Sequence, residues 1–136
     1  MDETPEFTNW RDAWDWHAEQ TRHALQQESD DVLLKRIAAG HYDSYFAIWY
    51  VLRDKTTLAR AAPVLLAVLR RETGEDNMLT RYHCAAALFH LLGYADEPIP
   101  ELRARAQWDH HGEAARQKAI DELEALIRQR LLSSST

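Results

Sequence analysis

One helical octet occurs three times in this chain. Tyr45-Phe46-Ala47-Ile48-Trp49-Tyr50-Val51-Leu52 lines up with Arg81-Tyr82-His83-Cys84-Ala85-Ala86-Ala87-Leu88 and with Arg116-Gln117-Lys118-Ala119-Ile120-Asp121-Glu122-Leu123, at offsets of 36 and 35 residues. Periods in this range belong to stacked helix pairs, in which one pair cannot bury its apolar face alone and must lean on the next. No segment alternates apolar and polar residues with period two, so the expected class is all-α.

With 136 residues the chain makes one domain, 1–136, large enough to enclose a core without staples. Cys84 is the single cysteine, so no disulfide framework is available, and a reducing, cytoplasmic setting is expected. No stretch approaches the roughly 20 apolar residues of a membrane span, and the acidic start of the chain is unlike a targeting peptide. Charge is unevenly spread. Residues 1–31 hold nine Asp and Glu against Arg11 and Arg22, a balance of −7, while the other 105 residues sum to +1. Such an end repels phosphate backbones and speeds encounter with basic surfaces, which disfavours nucleic acid as a partner and favours a basic protein. The bland alternative is a solvated acidic helix.

Periodicity places the elements. Phe7, Trp10, Trp14, Ala18, Thr21 and Leu25 recur at three- and four-residue spacing, predicting an amphipathic capping helix over 8–27. A first pair follows over 30–54, with Ser29 or Asp30 capping a helix stopped at Gly40 and Asp43 starting the next. The second pair covers 57–93. Pro63 should bend its first helix or delay its regular part, and Asn77 is the expected cap of an apolar helix, Met78 to Leu92, closed by Gly93. Pro98 and Pro100 mark a break, and a third pair spans 100–132 with Ala119, Ile120, Leu123, Leu126, Ile127 and Leu131 inward. Residues 133–136 should fray.

The middle unit, Pro63-Val-Leu-Leu-Ala-Val-Leu-Arg-Arg, an acidic turn at Glu75-Asp76-Asn77, then Leu79-Thr-Arg81 through Leu91-Leu-Gly93, resembles a HEAT repeat. The likeness is good over 58–93 and partial over 100–131, where Arg116, Ala119 and Leu123 match. It is weak over 30–54, because Tyr45 stands where the arginine belongs. The resemblance implies an α-α superhelix of about three antiparallel pairs, about seven helices with the cap, and a protein-binding surface made by the second helices. It also implies that Arg81 and Arg116 bond to carbonyls and acidic side chains of the turns, for which Asp43, Asp76 and Asp109 are suitably placed.

In that register three lines escape the core. They are Thr80, His83, Ala87 and His90; Ser44, Ala47, Val51 and Asp54; and Ala115, Lys118, Glu122 and Ala125. Set side by side, they predict a contact ridge of Ala47, Tyr50, Asp54, His83, His90, Lys118 and Glu122. Trp16, opposite the Trp10 and Trp14 stripe, is a second candidate anchor, since an exposed Trp often anchors an interface. Trp49 and Trp108 read as core.

Metal chemistry finds little support. His83 and His90 are about 10 Å apart along a helix, too far to share a zinc ion, and His110 and His111 lack further ligands nearby. Catalytic motifs are absent too: there is no Gly-x-Ser-x-Gly, phosphate loop or dinucleotide fingerprint. DNA glycosylases of HEAT-like fold need a basic groove and a longer stack. The expected function is therefore non-catalytic protein binding, by a monomer or homodimer. In size and charge the chain is similar to bacterial immunity proteins that cover a basic toxin or nuclease. The alternatives are an adaptor holding a peptide or helix on a concave face, and a small-molecule pocket between the N-terminal helix and the first pair.

Overall fold

The computed structural model describes residues 5–94 and 101–134, and among these every regular element is helical. In chain order they are α1 (Trp10–Gln26), α2 (Asp30–Ala38), α3 (Ala47–Arg53), α4 (Leu58–Arg71), a 3-10 turn (Glu75–Asn77), α5 (Met78–Leu92), α6 (Glu101–Gln107) and α7 (Glu113–Ser134). The break expected at Pro98 and Pro100 and the last two residues of the tail lie outside the described residues. Ser133 and Ser134, expected to fray, continue α7.

Local chemistry explains most boundaries. Asn9, Ser29 and Thr57 cap α1, α2 and α4, each accepting from the backbone N–H three residues on. Asn77 does not cap α5; its side chain donates instead to the Thr73 carbonyl. Pro63 falls in the second turn of α4 on its exposed side, and the helix runs through it. α3 starts later than its periodicity suggests because Phe46 takes the left-handed conformation, φ 58°. That geometry costs a non-glycine residue roughly 1–2 kcal/mol. The Asp43 carboxylate offsets it, accepting from the N–H groups of Tyr45, Ala47 and Ile48 at 3.1, 2.9 and 2.8 Å.

The helices form two layers around one core. One layer holds α1, α3, α5 and α6 side by side; the other holds α2, α4 and α7. The first two pairs stack in parallel. Asp30 meets Arg60 while Ile37 and Ala38 meet Arg71, so α2 and α4 run the same way, and Phe46 on His83 aligns the starts of α3 and α5. The third pair is turned over. Arg81 of α5 reaches the last carbonyl of α6, and Arg70 of α4 pairs with Asp121 and Glu124 of α7 at 2.8 and 3.2 Å. Thus α6 lies antiparallel beside α5 and α7 antiparallel beside α4. The octet at Arg116 therefore sits in the layer opposite its two counterparts, although Ala119, Ile120, Leu123 and Ile127 of the expected inner stripe are buried, with Leu126 and Leu131 half-buried.

Cations close the helix ends from outside. Lys55 donates to the Gln26 and Glu28 carbonyls at the end of α1, Arg71 to Ile37 and Ala38 at the end of α2, and Arg130 to Leu92 at the end of α5. Arg81 serves Glu72, Gly74 and Gln107; Arg116 serves Leu69 and Ala106. Terminal carbonyls lack intrahelical donors and carry partial negative charge, so a neighbouring Arg or Lys answers both needs. Arg81 and Arg116 thereby act as the structural clasps that the resemblance implies. The acids differ: Asp43 serves its own helix, and Glu113, rather than Asp76 or Asp109, is the carboxylate that grips Arg116. That grip holds the Glu113 carboxyl below its ordinary range.

Candidate functional site

α1 and α3 run parallel, since Trp14 meets Tyr45 before the start of α3 while Gln26 meets Lys55 just after its end. Seventeen residues make α1 about 25 Å long, whereas the seven of α3 cover about 10 Å. The first turns of α1 consequently overhang. Trp10 is 78% exposed and Trp14 45%, the latter resting edge-on against the Tyr45 ring at 4.6 Å. The inward stripe expected for this helix holds from Ala18 to Leu25 and fails at the two tryptophans.

Between α1 and α3 lies a cleft of about 550 Å³. Asp15, Glu19 and Arg22 wall one side; Tyr45, Tyr50, Arg53 and Asp54 wall the other. Tyr50 is 45% exposed, with the Arg53 guanidinium 4.7 Å above its ring. Rings continue across the layer. His83 stacks on Phe46 at 4.3 Å and meets Tyr50 and Tyr82 edge-on, and Tyr82 neighbours Trp108, which neighbours His110. Burial, reinforced by the positive charge of Arg103, pushes the His83 imidazole below its ordinary value, so it is neutral at pH 7.

The structure rearranges the predicted ridge. Tyr50 and Asp54 line the cleft and His83 borders it. Ala47 is buried and contributes only to the cleft floor, because α3 turns that face toward the core; Val51 and Ala87 of the same lines are buried as well. His90 is half-buried near the far end of α5. Lys118 and Glu122 are exposed on α7, in the other layer, where Glu122 pairs with Arg105 at 2.7 Å. The three lines therefore do not form one surface. Trp16 is half-buried, its ring 6.0 Å from that of Phe7, so Trp10 and Trp14 rather than Trp16 are the exposed rings of α1. Trp49 is core, whereas Trp108 is half-buried.

Sequence reasoning missed Asp15, Glu19, Tyr45 and Arg53. A usable signal was present: Asp15, Glu19 and Arg22 share one helical face with Ala18. His110 and His111 line a separate cavity of about 130 Å³ with Trp108, and no group of three His, Cys, Asp or Glu able to share an ion occurs among the described residues. No helix among them is long and apolar enough to cross a membrane. Compared with family models, curated proteins and solved structures, the chain has no significant match.

Proposed function

We propose that this chain is a non-catalytic protein-binding module whose α1–α3 face docks a partner with a basic surface, in the manner of an acidic immunity-type inhibitor acting in the cytoplasm. The observation that supports this most is that Tyr50 stands exposed in the wall of the α1–α3 cleft, Trp14 lies exposed against the cleft residue Tyr45, and Trp10 is exposed one turn before Trp14 on the same acidic helix. Exposed aromatics of this kind carry much of the energy of interfaces, and surrounding carboxylates raise the rate of encounter with a basic partner. The parallel stacking of the first two pairs agrees with such a role. A second reading, an adaptor holding a helix, is favoured by one feature of the opposite layer: a groove of about 370 Å³ between α4 and α7, walled by Ala62, Pro63, Leu66 and Ile127.

The test is affinity capture from the native host at about 50 and about 500 mM salt. Three baits are compared: wild type, a Trp10→Ala/Trp14→Ala/Tyr50→Ala variant, and a His90→Ala/Lys118→Glu control. The reading requires one basic protein held by wild type and control, lost from the triple variant and weakened by salt. Retention by the triple variant would remove the α1–α3 face from the account. Absence of any basic protein would remove the inhibitor.

A further inference from the structure

From Ala61 to Leu69, α4 carries no polar side chain on any side. A helix that is apolar all round belongs inside a protein, yet α4 runs between α2 and α7 in an outer layer. Its inner side is covered, with Ala61, Leu65, Val68 and Leu69 buried. Its outer side is bare: Ala59, Pro63 and Ala67 are exposed at four-residue spacing along one ridge. Grooves flank that ridge. The one toward α7, about 370 Å³, is walled by Leu66, Ile127 and Leu131, and the one toward α2, about 330 Å³, by Leu34, Ala38 and Val64. Ridge and grooves together make a continuous apolar patch of the kind that marks an interaction site.

The charged edges of the patch favour one occupant. Four cations border it, and each has its own carboxylate: Lys35 pairs with Asp31 at 3.3 Å, Arg60 with Asp30 at 2.7 Å, Arg70 with Asp121 at 2.8 Å and Arg128 with Glu124 at 2.7 Å. A rim that sums to zero attracts neither a basic nor an acidic protein. A second copy of this chain, by contrast, brings matching pairs of both signs. A two-fold axis along α4 lays the α2 edge of each copy over the α7 edge of the other, so that cations can meet carboxylates. The carboxylates of α1, Asp12, Asp15 and Glu19, sit in the other layer and do not oppose this contact. The size also suits a dimer. Fourteen residues make α4 about 21 Å long. Three helices about 8–10 Å apart span about 20 Å between their outer axes. Covering that face buries on the order of 500 Å² per copy, or about 1,000 Å² in total, the lower bound of a specific interface.

We infer that this chain forms a two-fold dimer through the outer face of α4, each copy covering the other's apolar patch. The small side chains of the ridge let the two α4 helices approach closely, and the α4–α7 groove is filled by the second copy rather than by a separate helix. The contact is modest in area, so association is in the micromolar range. It lies in the layer opposite α1 and α3, so the dimer presents two α1–α3 clefts, and it does not depend on what those clefts hold.

Sedimentation velocity of the purified chain from about 1 to about 500 μM reads the association directly. Wild type should pass from monomer to dimer across this range. Ala67→Glu and Ala67→Lys each set like charges against each other across the axis, and each alone should raise the dissociation constant at least about tenfold. An equimolar mixture of the two should associate again, which a merely misfolded variant cannot do. Position 67 is exposed and helical, so an unchanged circular dichroism spectrum checks the fold of each variant. Trp10→Ala/Trp14→Ala, altered only on the docking face, should dimerise like wild type. Wild type that stays monomeric at about 500 μM would overturn the dimer and leave the patch to a different protein. A dimer indifferent to both Ala67 changes, a mixture no tighter than either variant alone, or loss of the dimer in the tryptophan variant would overturn its placement on α4.

Discussion

Replacing Arg81 by Met should destabilise the fold by about 2–4 kcal/mol, a magnitude that follows from what its guanidinium touches. Arg81 is fully buried. Its Nε donates to the Gln107 carbonyl at 2.9 Å, and one terminal nitrogen donates to the carbonyls of Glu72 and Gly74 at 3.1 and 2.6 Å. The first bond is wholly buried, so losing it strands a carbonyl at a cost of roughly 1–3 kcal/mol; the other two are partly buried, admit water, and contribute about 0.5–1.5 kcal/mol each. Part of this loss is recovered. Burial and the nearby Arg116 charge already disfavour a charged Arg81, and its Nη2 has no acceptor. For 136 residues the unfolding entropy is about 0.3 kcal/mol/K, so the thermal midpoint should fall by about 7–13 °C. Calorimetry of wild type, Arg81→Met and Arg81→Lys measures this. Lysine, which keeps charge but not the three-way fork, should fall between the other two. A midpoint for Arg81→Met within about 2 °C of wild type would refute the idea that this arginine ties the ends of α4 and α6 to α5.

Other outcomes follow from single residues. Leu88 is completely buried, so Leu88→Ala should cost about 2–5 kcal/mol in chemical denaturation, and an unchanged midpoint would contradict its place in the core. Burial pushes the Cys84 thiol far above its ordinary value, and its sulfur faces the Leu65 carbonyl at 3.3 Å; a thiol reagent should therefore label native protein far more slowly than denatured protein. Equal rates would show that α5 is not central. His83 should titrate below the ordinary 6.5 when its ring protons are followed by NMR. Because its folded pKa is depressed, the unfolded chain takes up the proton first, so this residue lowers stability as pH falls below about 6.5. A midpoint at or above 6.5 would mean that the stack on Phe46 is open to solvent.

Much of the fold could be read from the chain because helix signals are local. Gly93 and the apolar run before it give the limits of α5 as Met78 and Leu92, and Ser29 and Thr57 mark the starts of α2 and α4. Non-local choices were hidden. Nothing in the octet at Arg116 reveals that its helix turns over to meet α4, because that outcome depends on Arg70 finding Asp121 and Glu124 more than 50 residues away. The start of α3 was misjudged for a related reason: Asp43 bonds across to Ile48 and holds Phe46 at positive φ, which periodicity cannot register. The site was only half visible. Tyr50 and Asp54 were placed through the repeat, but Ala47 was taken as surface and Trp10 as core. The Trp10 error comes from ignoring that α1 is far longer than the helix it packs on, and the Ala47 error from the turn of α3 that sets this face toward the core.

The docking claim is tested most directly by locating the partner on the surface. A photo-crosslinking residue is placed at Tyr50, at Trp10 or at Lys118, one position per protein, and each is irradiated in the native host. The account predicts one discrete adduct, with the same basic protein, from positions 50 and 10 and none from 118. An adduct formed only at 118, or an acidic protein trapped at 50, would contradict it.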